Sequence, residues 1–173
     1  MGTRDLPAMI DYVLNATGKE KVSYIGHSQG TTQMFMASSL MKEYFASKVN
    51  LFIALAPVVY MHNELNYGLK IMSNHIPLFK FFLVDILQLK SMIYPWSFLR
   101  HSEVIFCKFF SPICDFALHR ISDREQKLDN MERQDVYYSM FPGGCGWHNF
   151  IHYGQIIHDG GFRRYDFGLK KNL

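Results

Sequence analysis

The five residues Gly26-His27-Ser28-Gln29-Gly30 match the pattern G-x-S-x-G. A serine hydroxyl becomes a nucleophile when a base takes its proton and nearby amides receive the charge that develops on an attacked carbonyl oxygen. The pattern serves that chemistry by holding the serine on a very tight turn between a strand and a helix. Such a turn forces strained dihedrals on Ser28 and brings neighbouring backbone close, which calls for small residues at Gly26 and Gly30. The amide of Gln29 would stand at the helix N-terminus as one oxyanion donor. His27 is expected to pack beside the turn rather than to act as base. The competing reading is a glycine-bracketed turn with an incidental serine, and the elements on either side decide between the two.

Those elements have the required order. Pro7 sits where a helix can begin, with Asp5 as its N-cap; Met9, Ile10, Val13 and Leu14 recur at helical spacing, and Gly18 closes the helix. Val22-Ser-Tyr-Ile25 is a short strand rich in β-branched and aromatic residues. After the turn, 31–45 reads as one helix with Met34, Met36, Ala37, Leu40, Met41 and Tyr44 close to one face. Leu51 to Val59 is a continuous apolar run of strand length, the pattern of a parallel strand covered on both faces. Helix, strand, turn, helix, strand predicts an α/β fold with a parallel sheet.

From Tyr60 to Tyr153 the pattern changes to helical segments heavy in Phe, Leu, Ile and Met, divided by Pro77, Pro95, Pro112 and Pro142. A helical insertion over 60–153 is the simplest reading, with 154–173, rich in glycine, as connecting chain. Within that insertion Ile76, Leu78, Phe79, Phe81, Phe82, Leu83, Ile86 and Leu87, continued by Met92, Ile93, Tyr94, Trp96, Phe98 and Leu99, offer more apolar surface than a covering layer must bury. They suit either a core or an apolar binding surface.

Composition narrows the function classes. With 49% hydrophobic and 19% charged residues, the chain has the material for a packed core and is not a disordered tail. The net charge of +3 comes from scattered Lys and Arg, which gives no nucleic-acid footprint. The greasiest stretch, Ile76 to Leu99, is interrupted by Lys80, Asp85 and Lys90, so no run reaches the roughly 18 apolar residues of a membrane span. No secretory signal is visible at the start of the chain. Of the three cysteines, Cys107 and Cys114 could pair and leave Cys145 free, or all three could be thiols.

Around the serine motif the chain resembles the acid lipases, the group of gastric and lysosomal acid lipases and many insect lipases. The resemblance rests on Asp5-Leu-Pro-Ala-Met-Ile-Asp-Tyr12, on Tyr24-Ile-Gly-His-Ser-Gln-Gly-Thr-Thr32 and on Ala54-Leu-Ala-Pro-Val58, followed by Asp135-Val-Tyr137 and Tyr165-Asp-Phe-Gly168. It implies a partial α/β-hydrolase sheet over 1–59, a helical cap over 60–153 and a return segment over 154–173. It also implies a lipid ester substrate met at an interface, Ser28 as nucleophile and the Gln29 amide in the oxyanion hole. Cys107 and Cys114 fall near the family's cap disulfide, and the family's secreted or lysosomal setting would suit the sequon Asn15-Ala-Thr17.

The family's catalytic Asp and His follow in the order Ser, Asp, His, beyond the segment matched by Tyr165 to Gly168, so both are expected outside this chain, which reads as an internal piece. His148, His152 and His158 with Asp159 and Asp166 offer a local substitute, but no strand-end loop is expected near them. His148 and His152 at four-residue spacing lack a third metal ligand, and no cofactor is implied. Two alternatives stay open: a non-catalytic lipid-binding relative, and a hydrolase of another acyl substrate such as a thioester.

Overall fold

The computed structural model describes residues 1–61, 63, 67–92, 105–121, 130, 133, 136 and 143–168. They fall into two compact units, Met1–Met61 and His62–Leu173.

In the first unit, helix α1 (Asp5–Thr17) buries Leu6, Pro7 and Ile10. Leu6, Ile10 and Leu14 form its inward stripe at four-residue spacing. Met9 and Val13 lie to the side of that stripe and are exposed. The helix starts before Pro7: Asp5 is its first residue rather than its cap, and Arg4 holds the cap position without a side-chain bond. The Met1 carbonyl receives the N–H groups of Arg4, Asp5 and Leu6 instead. Gly18 ends α1 in the left-handed conformation, its N–H on the Leu14 carbonyl.

Strand β1 (Val22–His27), helices α2 (Gln29–Leu40) and α3 (Lys42–Lys48), and strand β2 (Val49–Leu55) complete the unit. The strands pair in parallel, from Val22 beside Val49 to His27 beside Leu55. The stretch expected as one helix over 31–45 is two, broken at Met41 with φ −130° and ψ 48°. Ser38 and Ser39 donate their hydroxyls back to the Phe35 and Met36 carbonyls there, competing with the helix's own ladder. The break leaves Leu40 exposed and turns Phe45 into the core with Leu6, Ile10, Met34 and Ala37. Burying a side chain of that size contributes about 1.5–3 kcal/mol.

Strand β2 starts two residues earlier than its apolar run and stops at Leu55, because Ala56 takes φ 45°. One sheet face carries Tyr24 and Phe52 into contact with Phe35 of α2. On the other, Ile25, Leu51, Ile53 and Leu55 are exposed, so the run is covered on one face among the described residues of this unit. Tyr44 ties α3 to α1, with its hydroxyl 2.6 Å from Asp11 Oδ1 and 3.0 Å from the Pro7 carbonyl oxygen. Lys48 also hydrogen-bonds Asp11 and rests over the Tyr44 ring. The Lys48 bond first, and the Tyr44 bond second, hold the Asp11 carboxyl below its usual range.

The second unit is mainly helical: α4 (Tyr67–Asn74), α5 (Ile76–Phe79), a π-helical segment (Lys80–Ile86), α6 (Ser111–Ile121) and α7 (Trp147–Asp159). The helical expectation needs one correction, because Ser91–Met92 (β3) and Cys145–Gly146 (β4) form a two-residue antiparallel ladder. Two residues leave no apolar periodicity to read. A second correction concerns Gly154, which the sequence suggested as the start of connecting chain. It lies inside α7, and residues 154–159 are helical. A Cβ there would lie 2.3 Å from Ile76 Cδ1, so the glycine lets α7 approach Ile76 rather than ending the helix. The segment after α7 is held by Gln155, whose side chain accepts from Asp166 N–H at 3.1 Å and donates to its carbonyl at 3.0 Å.

Leu78, Phe79, Phe81, Phe82, Ile86 and Leu87 are exposed, whereas Ile76 is buried. Ile93, Tyr94, Trp96, Phe98, Leu99, Pro95, Pro142, Asp135 and Tyr137 lie outside the described residues. Cys107 and Cys114 are joined as a disulfide, and Cys145 is a half-buried free thiol whose pKa burial raises. Among the described residues no helix is long and apolar enough to cross a membrane.

Candidate active site

Strand β1 runs two residues further than its β-branched core, through Gly26 and His27, and α2 begins at Gln29. The whole change of direction therefore falls on Ser28, which has φ 49° and ψ −114°. A non-glycine residue in this region costs of order 1–3 kcal/mol and persists only where its surroundings hold it. Its N–H donates to the Leu55 carbonyl at 3.0 Å, and its carbonyl receives the Thr31 N–H at 3.0 Å and the Thr31 hydroxyl at 2.6 Å.

Ser28 occupies the N-cap position of α2, yet its side chain makes no capping bond. A serine at that position ordinarily turns its hydroxyl back onto the first helical amides. With φ positive, the hydroxyl of Ser28 is instead on an exposed residue at the end of the strand. This separates the residue from an incidental cap.

The two flanking glycines are not equivalent. A Cβ on Gly26 would lie 2.9 Å from the Gly30 carbonyl carbon and 3.0 Å from Thr31 N, backbone atoms that cannot swing aside. A Cβ on Gly30 would meet the Tyr24 hydroxyl at 3.4 Å, an ordinary contact. The close approach thus demands glycine at 26, whereas at 30 a Cβ has room. His27 is exposed and lies on the sheet face it shares with Ile25.

Ala56, one residue past the end of β2, mirrors Ser28 with its own positive φ. The loop it opens is held against the turn by two threonines. Thr31 Oγ1 accepts from Val58 N–H at 3.0 Å, and Thr32 Oγ1 donates to the Val58 carbonyl at 2.6 Å. Thr31 and Thr32 are 0% and 6% exposed. Neither threonine stood out beyond its place in the Gly-Thr-Thr resemblance. The signal available was two poor helix formers at the start of a helix, which need partners for their hydroxyls if buried.

The chain matches the model of the alpha/beta hydrolase fold over residues 1–156. It belongs to the alpha/beta hydrolase family. Over 171 residues, 97% of its length, it is 36% identical to the gastric triacylglycerol lipase of Bos taurus, covering 42% of that protein. It is 34% identical to lipase member N of Mus musculus, over 97% of this chain and 41% of that one. A provisionally named lysosomal acid lipase/cholesteryl ester hydrolase of Crotalus adamanteus is 31% identical over 99% of this chain and 42% of its own length. The chain thus spans about two-fifths of the length of these relatives.

The remaining candidate residues of this hydrolase-fold chain have structural partners. The rings of His148 and His152 pack on Tyr165, and His152 Nε2 lies 2.7 Å from the Arg163 carbonyl. His158 Nδ1 is 2.9 Å from Asp159 Oδ1, and Asp166 Oδ1 accepts the Gly168 N–H. These groups belong to the second unit and Ser28 to the first. Among the described residues no three His, Cys, Asp or Glu side chains could hold a metal ion. His62 and His101 lie outside the described residues. Asn15 is exposed in the last turn of α1, with the Thr17 hydroxyl donated to the Val13 carbonyl.

Proposed function

We propose that the protein containing this chain is a serine ester hydrolase that acts on acylglycerols or sterol esters, with Ser28 as its nucleophile. The carrying observation is the positive φ of Ser28 at a strand–helix junction, with its hydroxyl diverted from capping α2. The lipase names of relatives matched over nearly the whole chain support the substrate class.

In this reading Ser28 Oγ attacks the ester carbonyl carbon while its proton passes to a histidine base oriented by an acid. Both partners come from outside these residues. The carbonyl oxygen takes the negative charge, and the Gln29 N–H at the start of α2 shares in holding it, a contribution of about 2.7–4 kcal/mol for one such donor. The alcohol leaves with the proton returned by the base, and water then releases the fatty acid from Ser28 by the same steps in reverse order.

Residues 1–59 are the core portion carrying the nucleophile, 60–159, to the end of α7, the cap, and 160–173 the return toward the rest of the core. The exposed apolar face of β1 and β2 supports a larger sheet domain, because parallel sheets are covered on both faces. The exposed Phe and Leu residues of 78–87 suit a lipid interface. A secreted or lysosomal setting fits the names of these relatives, the disulfide and the sequon at Asn15.

The test is covalent labelling of the intact native protein with a fluorophosphonate, read by peptide mass spectrometry, together with turnover of a triacylglycerol emulsion. Ser28 becomes modified, Ser28→Ala loses turnover by at least about 10⁴-fold, and the 173 residues alone show negligible turnover. Stable lipid binding without labelling or turnover would replace the enzyme with a non-catalytic lipid binder.

A further inference from the structure

We propose that Thr31 is a positioning residue that aims the Gln29 N–H at the developing oxyanion. The inference rests on the reading above, that Ser28 is the nucleophile and the Gln29 amide an oxyanion donor. It concerns a residue that never meets the substrate, since Thr31 is 0% exposed.

The carbonyl of Ser28 and the N–H of Gln29 belong to one peptide plane. In a trans peptide they point in opposite directions. Whatever fixes the Ser28 carbonyl therefore fixes the direction of the Gln29 N–H. Thr31 places two bonds on that carbonyl oxygen: its N–H at 3.0 Å and its hydroxyl at 2.6 Å.

The hydroxyl's own proton is accounted for. Val58 N–H can only donate, so Thr31 Oγ1 accepts there at 3.0 Å and its single proton goes to the Ser28 oxygen. Thr32 holds the Val58 carbonyl at 2.6 Å, which keeps that N–H in place. The peptide plane of the proposed donor is thereby locked to the loop after β2, on the far side of the turn.

A donor aimed at the transition-state oxygen and not at the ground-state carbonyl acts on kcat rather than KM. The experiment uses the intact native protein with Thr31→Val, Thr31→Ser and Thr31→Ala. Each is checked for folding by circular dichroism. Turnover of a soluble short-chain ester gives kcat and KM, and the rate of fluorophosphonate labelling of Ser28 is measured beside it. In that labelling Ser28 Oγ bonds to phosphorus as fluoride leaves and the serine proton goes to the base.

Thr31→Val should lose about 10- to 100-fold in both kcat and labelling rate, with KM within about twofold. Thr31→Ser, which keeps the hydroxyl, should restore most of the loss. If the valine variant does not fold, the alanine and serine pair carries the same comparison. A Thr31→Val protein that labels and turns over at the wild-type rate overturns the proposal, as does a serine variant that loses as much as the valine one. A wild-type protein not labelled at Ser28 overturns the underlying reading instead.

Discussion

Replacing Gly26 with alanine would put a methyl carbon 2.9 Å from the Gly30 carbonyl carbon and 3.0 Å from both Gly30 O and Thr31 N. A carbon–carbon contact is relaxed at about 3.5–4.0 Å, so β1 and the first turn of α2 must separate by several tenths of an ångström. Neither side yields cheaply, because the same turn is held by Ser28 N–H on Leu55 O and by Tyr24 OH on Gly30 O at 3.0 Å. Overpacking of this kind costs about 1–3 kcal/mol. Gly30→Ala supplies the contrast. Its methyl meets the Tyr24 hydroxyl at 3.4 Å, its backbone is helical, and alanine in a helix is favoured over glycine by up to about 1 kcal/mol. The two variants therefore move in opposite directions. Urea denaturation of the intact protein should show a lower midpoint for Gly26→Ala and an unchanged or higher one for Gly30→Ala. Fluorophosphonate labelling of Ser28 should slow only in Gly26→Ala. Equal losses in both variants, or a larger loss at Gly30, would refute the argument that close backbone approach is what reserves position 26 for glycine.

Other consequences are open to measurement. Gly154→Ala should destabilise the second unit by about 1–3 kcal/mol, and Ile76→Ala in the same chain should relieve part of it, giving a favourable coupling energy in a double-mutant cycle. Asp11 has a lowered pKa in the folded state, so the unfolded chain binds the proton more tightly and the linked stability is fully present above about pH 4. It is lost as pH falls through the folded value, and Asp11→Asn should flatten the stability profile on the acid side of pH 4. Non-reducing peptide mapping should recover Cys107 linked to Cys114. Cys145, with its pKa raised by burial, should react with iodoacetamide more slowly than a free model thiol at pH 8, the difference narrowing as pH rises.

Most of what the sequence revealed lay where a local rule and the tertiary structure agree. The serine turn was legible because its demands are local: a strand before it, a helix after it and a glycine two residues ahead. The parallel strand pair was legible because strands buried on a face declare themselves in β-branched and apolar runs. The break at Met41 was not, because the apolar spacing of 31–45 continues through it. Just before the break the Ser38 and Ser39 hydroxyls bond the Phe35 and Met36 carbonyls, a local competition with the helix that periodicity does not register. The role of Gly154 was hidden for the opposite reason. A glycine in a helical pattern reads as an end, and only the presence of Ile76 at the same point in space turns it into a packing requirement.

The threonines after the motif join these two kinds of information. Thr31 and Thr32 are poor choices for an early helical turn on propensity alone, and being buried makes their hydroxyls a cost unless paired. Both hydroxyls meet one residue, Val58, which stands beyond the next strand, and that of Thr31 also donates to the Ser28 carbonyl. No pattern within the turn announces Val58, because the contact exists only once β1 and β2 lie side by side in register. The strain at Ser28 is thus supported from two directions: glycine at 26 makes room for it, and the threonine–Val58 contacts hold it. Local sequence specifies the first, and the parallel sheet supplies the second. A G-x-S-x-G match that lacks the hydroxyl pair and the loop to receive it would still have room for the turn. It would have nothing on the far side to hold its amide in one direction.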